Sequence, residues 1–281
     1  MMKRILITGG SVFVSKYVAK YFHEHDYEVY VLNRNTKSQI EGVHLIEADR
    51  HQLDKKLKSY HFDAVVDVTA YDAKDIIDLY ESLGSFDEYI LISSSAVYPE
   101  TTVQLYKGDS FLGKNKYWGK YGTDKIEAEK SLLERVPNAY ILRPPYLYGP
   151  MNNVYWETFI FDCARFDRPF YIPNNGNMKL QFFRLKDLCR LIEQIISLHP
   201  KDHIINVGND ERISVKEWVS MCYACLGKTV KFVNVEKDIE QRNYFSFYDY
   251  EYYLDVNKQK KLLENTASMK IGLQSAGNQN I

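Results

Sequence analysis

The chain has 281 residues, 45% of them hydrophobic, and a formal net charge of −1, which is enough for one large domain or two closely joined ones with a full core. Balanced charge without a Lys/Arg block leaves no electrostatic footprint for nucleic acid or an anionic membrane. No apolar run approaches the ~18 residues of a membrane span, so the expectation is a cytoplasmic protein without a membrane or nucleic-acid partner.

In chain order, the first half alternates short β-rich runs with helical patterns. KRILIT, YEVYVLN, VHLIEA, DAVVDVTA and EYILISSS read as strands continuous enough in Ile, Val, Leu and Tyr to be buried on both faces. Between them, apolar stripes predict helices over 11–24 (Phe13, Tyr17, Val18, Tyr21, Phe22), over 73–84 (Ile76, Ile77, Tyr80, Leu83) and from Tyr121 to Arg135. AYILRP follows as a sixth strand. Such alternation predicts an α/β fold, a doubly wound parallel sheet of the Rossmann type with right-handed crossovers.

After Pro150 the composition shifts to Pro and Asn in GPMNN and RPFYIPNNGN. A helix around 186–198, the strand HIINVG, a helix over 214–226 and the strand TVKFVNV come next, then the tyrosine-dense NYFSFYDYEYYLD. Residues 1–150 are therefore expected to form a dinucleotide-binding domain. Residues 151–281 are expected to form mainly a smaller α/β substrate lobe, with some segments returning to the sheet. The tyrosine run is read first as cover for a core edge and second as a stacking surface.

Cys222 and Cys225 form CYAC inside a helix whose apolar positions are Val215, Trp218, Val219, Cys222 and Leu226. Without a second CxxC or a nearby histidine pair, buried thiols are expected and no metal site. His23 and His25 lie at a helix end, where a solvated role is favoured over ligation.

The segment ILITGGSV looks like a phosphate-binding turn that has lost glycines. In the spacing TGxxGxxG, Thr8-Gly9 supplies the tight turn, while Val12 and Ser15 stand where the second and third glycines would be. A helix N-terminus still offers free N–H groups, and Ser11 adds a hydroxyl. Val12 is expected to crowd a pyrophosphate.

Downstream, EYILISSSAVY ends in three serines, and Tyr121 and Lys125 follow at i and i+4 on one helix face. YxxxK occurs once in a chain with 23 tyrosines. The ammonium is expected to lower the phenol's pKa, making Tyr121 an acid/base for a carbinol oxygen that a serine steadies.

These pieces resemble the short-chain dehydrogenase/reductase superfamily in its extended or atypical branch, the NAD-dependent epimerase/dehydratase family. The matching stretches include ILITGG, DAVVDVTAYD, ISSSAVY, YGTDKIEAEK, ILRPPYLYGP, FFRLKDL and INVGNDERISVKEW. The GGSV loop and FYDYEYYLDVNKQKKLL further resemble the atypical members related to chloroplast stem-loop RNA-binding proteins.

The resemblance implies Ser94, Tyr121 and Lys125 as catalytic, with Lys125 also on the nicotinamide ribose. It implies cofactor contacts from Thr8, Gly9, Ser11, Val12 and Phe13 in the first turn. Further contacts fall on Val68, Thr69 and Ala70 after strand four, on Ser93, and on Pro144 and Tyr146 beside the nicotinamide, with Asp49 and Arg50 flanking the adenine. The acidic residue usual at the end of strand two is Asn33, followed by Arg34, a pair that tolerates a 2′-phosphate and favours NADP(H) over NAD(H). Ser95 and Ala96 stand where dehydratases carry Asp-Glu, so dehydration lacks its acid/base pair. Leu180 stands where many sugar-nucleotide enzymes place an arginine for the diphosphate, with Arg184 or Arg143 as substitutes.

The expected function is that of an NAD(P)-dependent epimerase or oxidoreductase acting on a small molecule such as a sugar nucleotide, assembled as a homodimer through the helix at 73–84 and the Tyr121 helix. The alternative is a catalytically weak cofactor-sensing, scaffold or RNA-binding protein on the same fold.

Overall fold

The computed structural model describes residues 2–101, 105–154, 156–235, 238–270 and 272–273. Its strands are β1 (Arg4–Thr8), β2 (Glu28–Asn33), β3 (His44–Glu47), β4 (Leu57–Asp67), β5 (Leu83–Ile92), β6 (Tyr140–Arg143), β7 (Tyr146–Tyr148), β8 (Phe170–Pro173), β9 (Lys179–Leu180), β10 (Phe182–Arg184), β11 (Ile204–Asn206), β12 (Ile213–Ser214) and β13 (Phe232–Val235). Its helices are α1 (Phe13–Glu24), α2 (Ala73–Ser82), α3 (Gly119–Arg135), α4 (Glu157–Arg165), α5 (Leu185–Leu198), α6 (Val215–Cys225) and α7 (Asn257–Leu262).

Seven strands form one parallel sheet in the order β11-β6-β5-β4-β1-β2-β3. Central parallel strands have both faces covered, so their sequences run apolar; the expectation fails for VHLIEA, because β3 lies at the sheet edge and is largely exposed. On one face α1 and α5 seal a core that includes Ile5, Phe22, Val66 and Ile192. On the other, α2 and α3 cover Leu6, Val65, Ile76 and Leu132. The strand order reverses between β1 and β4, so their carboxyl ends open a crevice at the switch point.

The helix expected over 73–84 stops at Ser82, because Leu83 is extended and begins β5. Its start is fixed by a reciprocal cap between Asp72 and Asp75, and Ser214 and Glu217 cap α6 in the same way. Beyond residue 150, β11 joins the main sheet and α5 packs on it. The rest builds a third core around Trp218, whose ring lies 4.9 Å from Phe182 and 5.3 Å from Phe247, with β8 paired in parallel to β13. Phe245, Phe247, Tyr252 and Leu254 of the tyrosine-dense stretch are buried there. Cys222 is fully buried and burial pushes its thiol well above the ordinary range; Cys225 is half-buried and raised for the same reason. Among the described residues no helix is long and apolar enough to cross a membrane.

Candidate active site

The first turn is built by hydrogen bonds that replace missing glycines. Gly9 (φ 93°) and Gly10 (φ 86°) take the left-handed conformations that favour glycine, and a Cβ on Gly10 would lie 2.5 Å from Val31. Ser15, at the third glycine position, is buried beneath Gly9 and donates to the Val12 carbonyl at 3.0 Å. Asn33 at the end of β2 donates Nδ2 to the Gly9 carbonyl at 2.5 Å and accepts from Asn35 at 2.8 Å. Val12 is the residue before α1 and caps none of its N–H groups with a side chain. Phe13 opens the helix at φ 38°, a conformation costing about 1–3 kcal/mol in a residue with a side chain. Val12 both lines the crevice and packs against the α1 core.

The sequence-predicted residues divide by what their polar atoms do. Thr8 turns inward: its hydroxyl donates to Asp67 at 2.7 Å and accepts the N–H groups of Val68 and Thr69 at 2.9 and 3.1 Å. Asp67 is wholly buried; burial would raise its carboxyl, yet Arg50, Thr8 and Tyr89 together hold it below the ordinary value. The Arg50 guanidinium donates to Asp67 at 2.8 Å and to Thr69 at 3.1 Å. Asp49 caps the local turn through the His51 N–H. Arg34 is exposed and Ser11 half-buried, both outside the cavity lining.

A cavity of about 540 Å³ opens from Val12 and Phe13 across the strand ends to the lobe beyond residue 150. It brings together Val68, Thr69, Ser93, Ser94, Tyr121, Lys125, Pro144 and Tyr146 of the expected residues, while Ala70 contributes only its carbonyl to Lys125. Trp118, Trp156, Tyr71 and Tyr252 also line it and were not singled out as site residues. Trp118 carries a sequence signal, standing three residues before Tyr121 at helical spacing. Tyr252 arrives only through tertiary folding.

Two close approaches place Ser94 and Tyr121. Ser94 precedes a single 3-10 turn (Ser95–Val97) and accepts the Ala96 N–H at 3.1 Å. Gly122 lets α3 press on that turn, since a Cβ there would lie 2.4 Å from the Ala96 carbonyl oxygen. Tyr121, one residue earlier, thereby lines the same cavity as Ser94.

The expected lowering of the Tyr121 phenol by Lys125 is corrected. Burial raises it, with the nearby Ser94 hydroxyl as the opposing influence. The Lys125 ammonium lies 6.0 Å from the Tyr121 ring centre and donates to the Ala70 and Ile92 carbonyls at 2.7 and 3.0 Å. Burial brings Lys125 down to about 8 against the pull of Asp67, Glu129 and Asp75.

That value makes stability depend on pH. Below about 8 both folded and unfolded chains hold the Lys125 proton; between about 8 and 10.5 only the unfolded chain does, so stability rises with pH. Relative to Lys125→Met, the wild type should gain up to about 3 kcal/mol between pH 7 and 10. Urea unfolding at both pH values checks this; a constant difference between the two proteins would refute it.

Arg143 and Ser93 form a second inward-turned group. Arg143 is 2% exposed and pairs with Glu129 at 2.6 Å, also donating to Tyr98 and the Gly108 carbonyl at 2.9 Å each. Burial opposes its charge, but Glu129 raises it above the ordinary guanidinium value. Ser93 donates its hydroxyl to the same Glu129. Arg143 is thus unavailable as the substitute phosphate ligand, and Arg184 borders a separate depression with Tyr17, Pro150 and Lys186.

Comparison with known proteins bears on this arrangement. The family model described as NAD dependent epimerase/dehydratase matches residues 5–208. The chloroplast stem-loop binding protein of 41 kDa b from Arabidopsis thaliana is 24% identical over 286 residues, covering 93% of this chain and 74% of that protein. The 2'-dehydrokanamycin reductase of Streptomyces kanamyceticus is 27% identical over 135 residues, 46% of this chain and 37% of that protein. Among crystal structures, the UDP-glucuronic acid 4-epimerase of Bacillus cereus in complex with UDP-glucuronic acid and NAD superposes with a TM-score of 0.76 at 19% identity, covering 99% of this chain and 98% of that one. The UDP-glucose 4-epimerase of Thermotoga maritima with UDP-glucose gives 0.78 at 16% identity, with 98% of both chains covered. At these identities the structural likeness shows a shared fold.

Proposed function

Since the chain belongs to the NAD dependent epimerase/dehydratase family, we propose that it is an NAD(P)-dependent epimerase or oxidoreductase in which Tyr121 exchanges a proton with a substrate oxygen. The observation that carries this is the convergence of Ser94, Tyr121 and Lys125 on one cavity that also reaches Val12 and Phe13 at the start of α1.

The crevice fits a dinucleotide. The α1 N-terminus has no capping side chain, the two left-handed glycines hold backbone in place of side chains, and Val12 packs part of its bulk into the core. When bound, the nicotinamide accepts or returns a hydride. Ser94 would orient the substrate oxygen, Tyr121 would take or give its proton, and Lys125 would hold the strand-end carbonyls and the ribose beside it. Thr69, Val68, Pro144 and Tyr146 would form the walls along the cofactor. The lobe beyond residue 150 would close over the substrate. A homodimer through α2 and α3 belongs to the same reading and rests on the family resemblance.

Exposed Arg34 supports NADP(H) as the preferred cofactor. Calorimetric titration with NAD⁺, NADH, NADP⁺ and NADPH tests the proposal. Dissociation constants of about 10 μM or below are expected, tighter for NADPH, with Arg34→Ala weakening NADPH about tenfold or more and leaving NADH unchanged. Failure of all four to bind would overturn the proposal.

A further inference from the structure

We propose that the substrate of this cavity is an uncharged ring compound bearing hydroxyl groups, and that it carries no diphosphate. This rests on the hydride-transfer reading above and narrows its substrate class.

Among the described residues lining the cavity, Lys125 is the sole side chain with a formal charge, and its ammonium is already engaged by two backbone carbonyls. No carboxylate lines it either, so a cationic substrate gains no more there than an anionic one. The other polar side chains of the lining are neutral: the Asn153 amide, the Trp118 and Trp156 indoles, and hydroxyls able both to donate and to accept. The hydroxyls include Ser94, Ser95, Tyr121, Tyr146 and Tyr252. Ser95 donates to Tyr252 at 3.1 Å, and the Tyr252 ring lies 6.0 Å from that of Tyr146. Burial raises the phenols of both tyrosines, so they remain neutral across the physiological range. Trp118 and Trp156 flank Tyr146, at ring-centre distances of 6.2 and 5.3 Å, and give the flat apolar surfaces against which the C–H faces of a hydroxylated ring pack.

The cations considered for a diphosphate are placed elsewhere. Arg143 is consumed by Glu129, Arg184 borders another depression, and Leu180 is a core residue 2% exposed. Arg242 is nearest: exposed, it stacks 4.7 Å above Tyr248, which in turn lies 5.6 Å from Trp118, and its charge is felt at Tyr146. It stands outside the lining. The N–H groups at α1 belong to the cofactor in this reading. A second diphosphate would therefore enter an aromatic chamber without a dedicated counter-charge, at a desolvation cost that neutral hydroxyls do not offset.

The test titrates the NADH-loaded protein with UDP and UDP-glucose at low ionic strength, where charge attraction is strongest. No saturable binding of either up to about 1 mM is expected, and reduction of bound NAD⁺ or NADP⁺ by unphosphorylated sugars but not by UDP-sugars would support the inference directly. Saturable binding of UDP tighter than about 1 mM would overturn it; if that binding vanished in Arg242→Ala, the rim arginine would be the diphosphate ligand. Failure to load NADH would instead overturn the hydride-transfer reading, and is read in the same instrument before UDP is added.

Discussion

Tyr121→Phe is expected to lower turnover by about 100- to 10,000-fold while leaving the dissociation constants for NAD(P)H within about threefold of wild type. The ring stays, so its packing near Tyr71, with ring centres 6.5 Å apart, stays too; what disappears is the hydroxyl that shares the cavity with Ser94. Because burial raises this phenol, it is protonated at neutral pH and ready to donate to a carbonyl being reduced. In the opposite direction it must first lose that proton. Carbinol oxidation should therefore accelerate as pH rises toward the phenol's pKa, and carbonyl reduction should slow. Both profiles are measured at saturating cofactor. Undiminished turnover in Tyr121→Phe would remove the tyrosine from the chemistry, and a flat pH profile would remove it as the group in titration.

The second large effect is on stability. Glu129→Ala should destabilise the protein by about 3–5 kcal/mol, because it strands the Arg143 guanidinium in a site where both residues are 2% exposed. Tyr98 and the Gly108 carbonyl still accept from Arg143, but neither carries a neutralising charge. Ser93 also loses its acceptor. Removing both charges in Glu129→Ala/Arg143→Met should cost less than Glu129→Ala alone, since no uncompensated ion remains. Chemical unfolding of the two variants decides the matter: a loss below about 1 kcal/mol for Glu129→Ala would mean that water or a rearranged acceptor reaches Arg143.

How much of this was legible in the chain depends on which residues carry local signals. Most of the first six strands announced themselves because strands covered on both faces must be continuously apolar, as Ile5, Leu6 and Ile7 are, whereas the edge strand β3 is largely exposed. Ser94, Tyr121 and Lys125 were legible through spacing along a strand end and a helix face. What Lys125 does with its ammonium was not, because the Ala70 and Ile92 carbonyls that receive it come from other strand ends. For the same reason Arg50 and Arg143 read as outward-facing cations, although Asp67 and Glu129 draw them inside. In the lobe, α4 lacks a capping side chain, and β8 finds its partner β13 far along the chain, so neither element stands out locally. Tyr252 lines the cavity from the same tyrosine run that covers the core.

Asn33 carries a consequence for protein engineering. The usual way to steer a dinucleotide enzyme between cofactors is to exchange the residue at the end of the second strand for a carboxylate. Here that residue's amide nitrogen holds the Gly9 carbonyl, while its oxygen holds Asn35. A carboxylate has no N–H to give, and would set a negative oxygen against a carbonyl oxygen at hydrogen-bond distance. Asn33→Asp would thus undo the Gly9 turn before any ribose hydroxyl could be gained. Loop integrity rests on this one side chain, so substitution at this position is confined to residues that keep the donor.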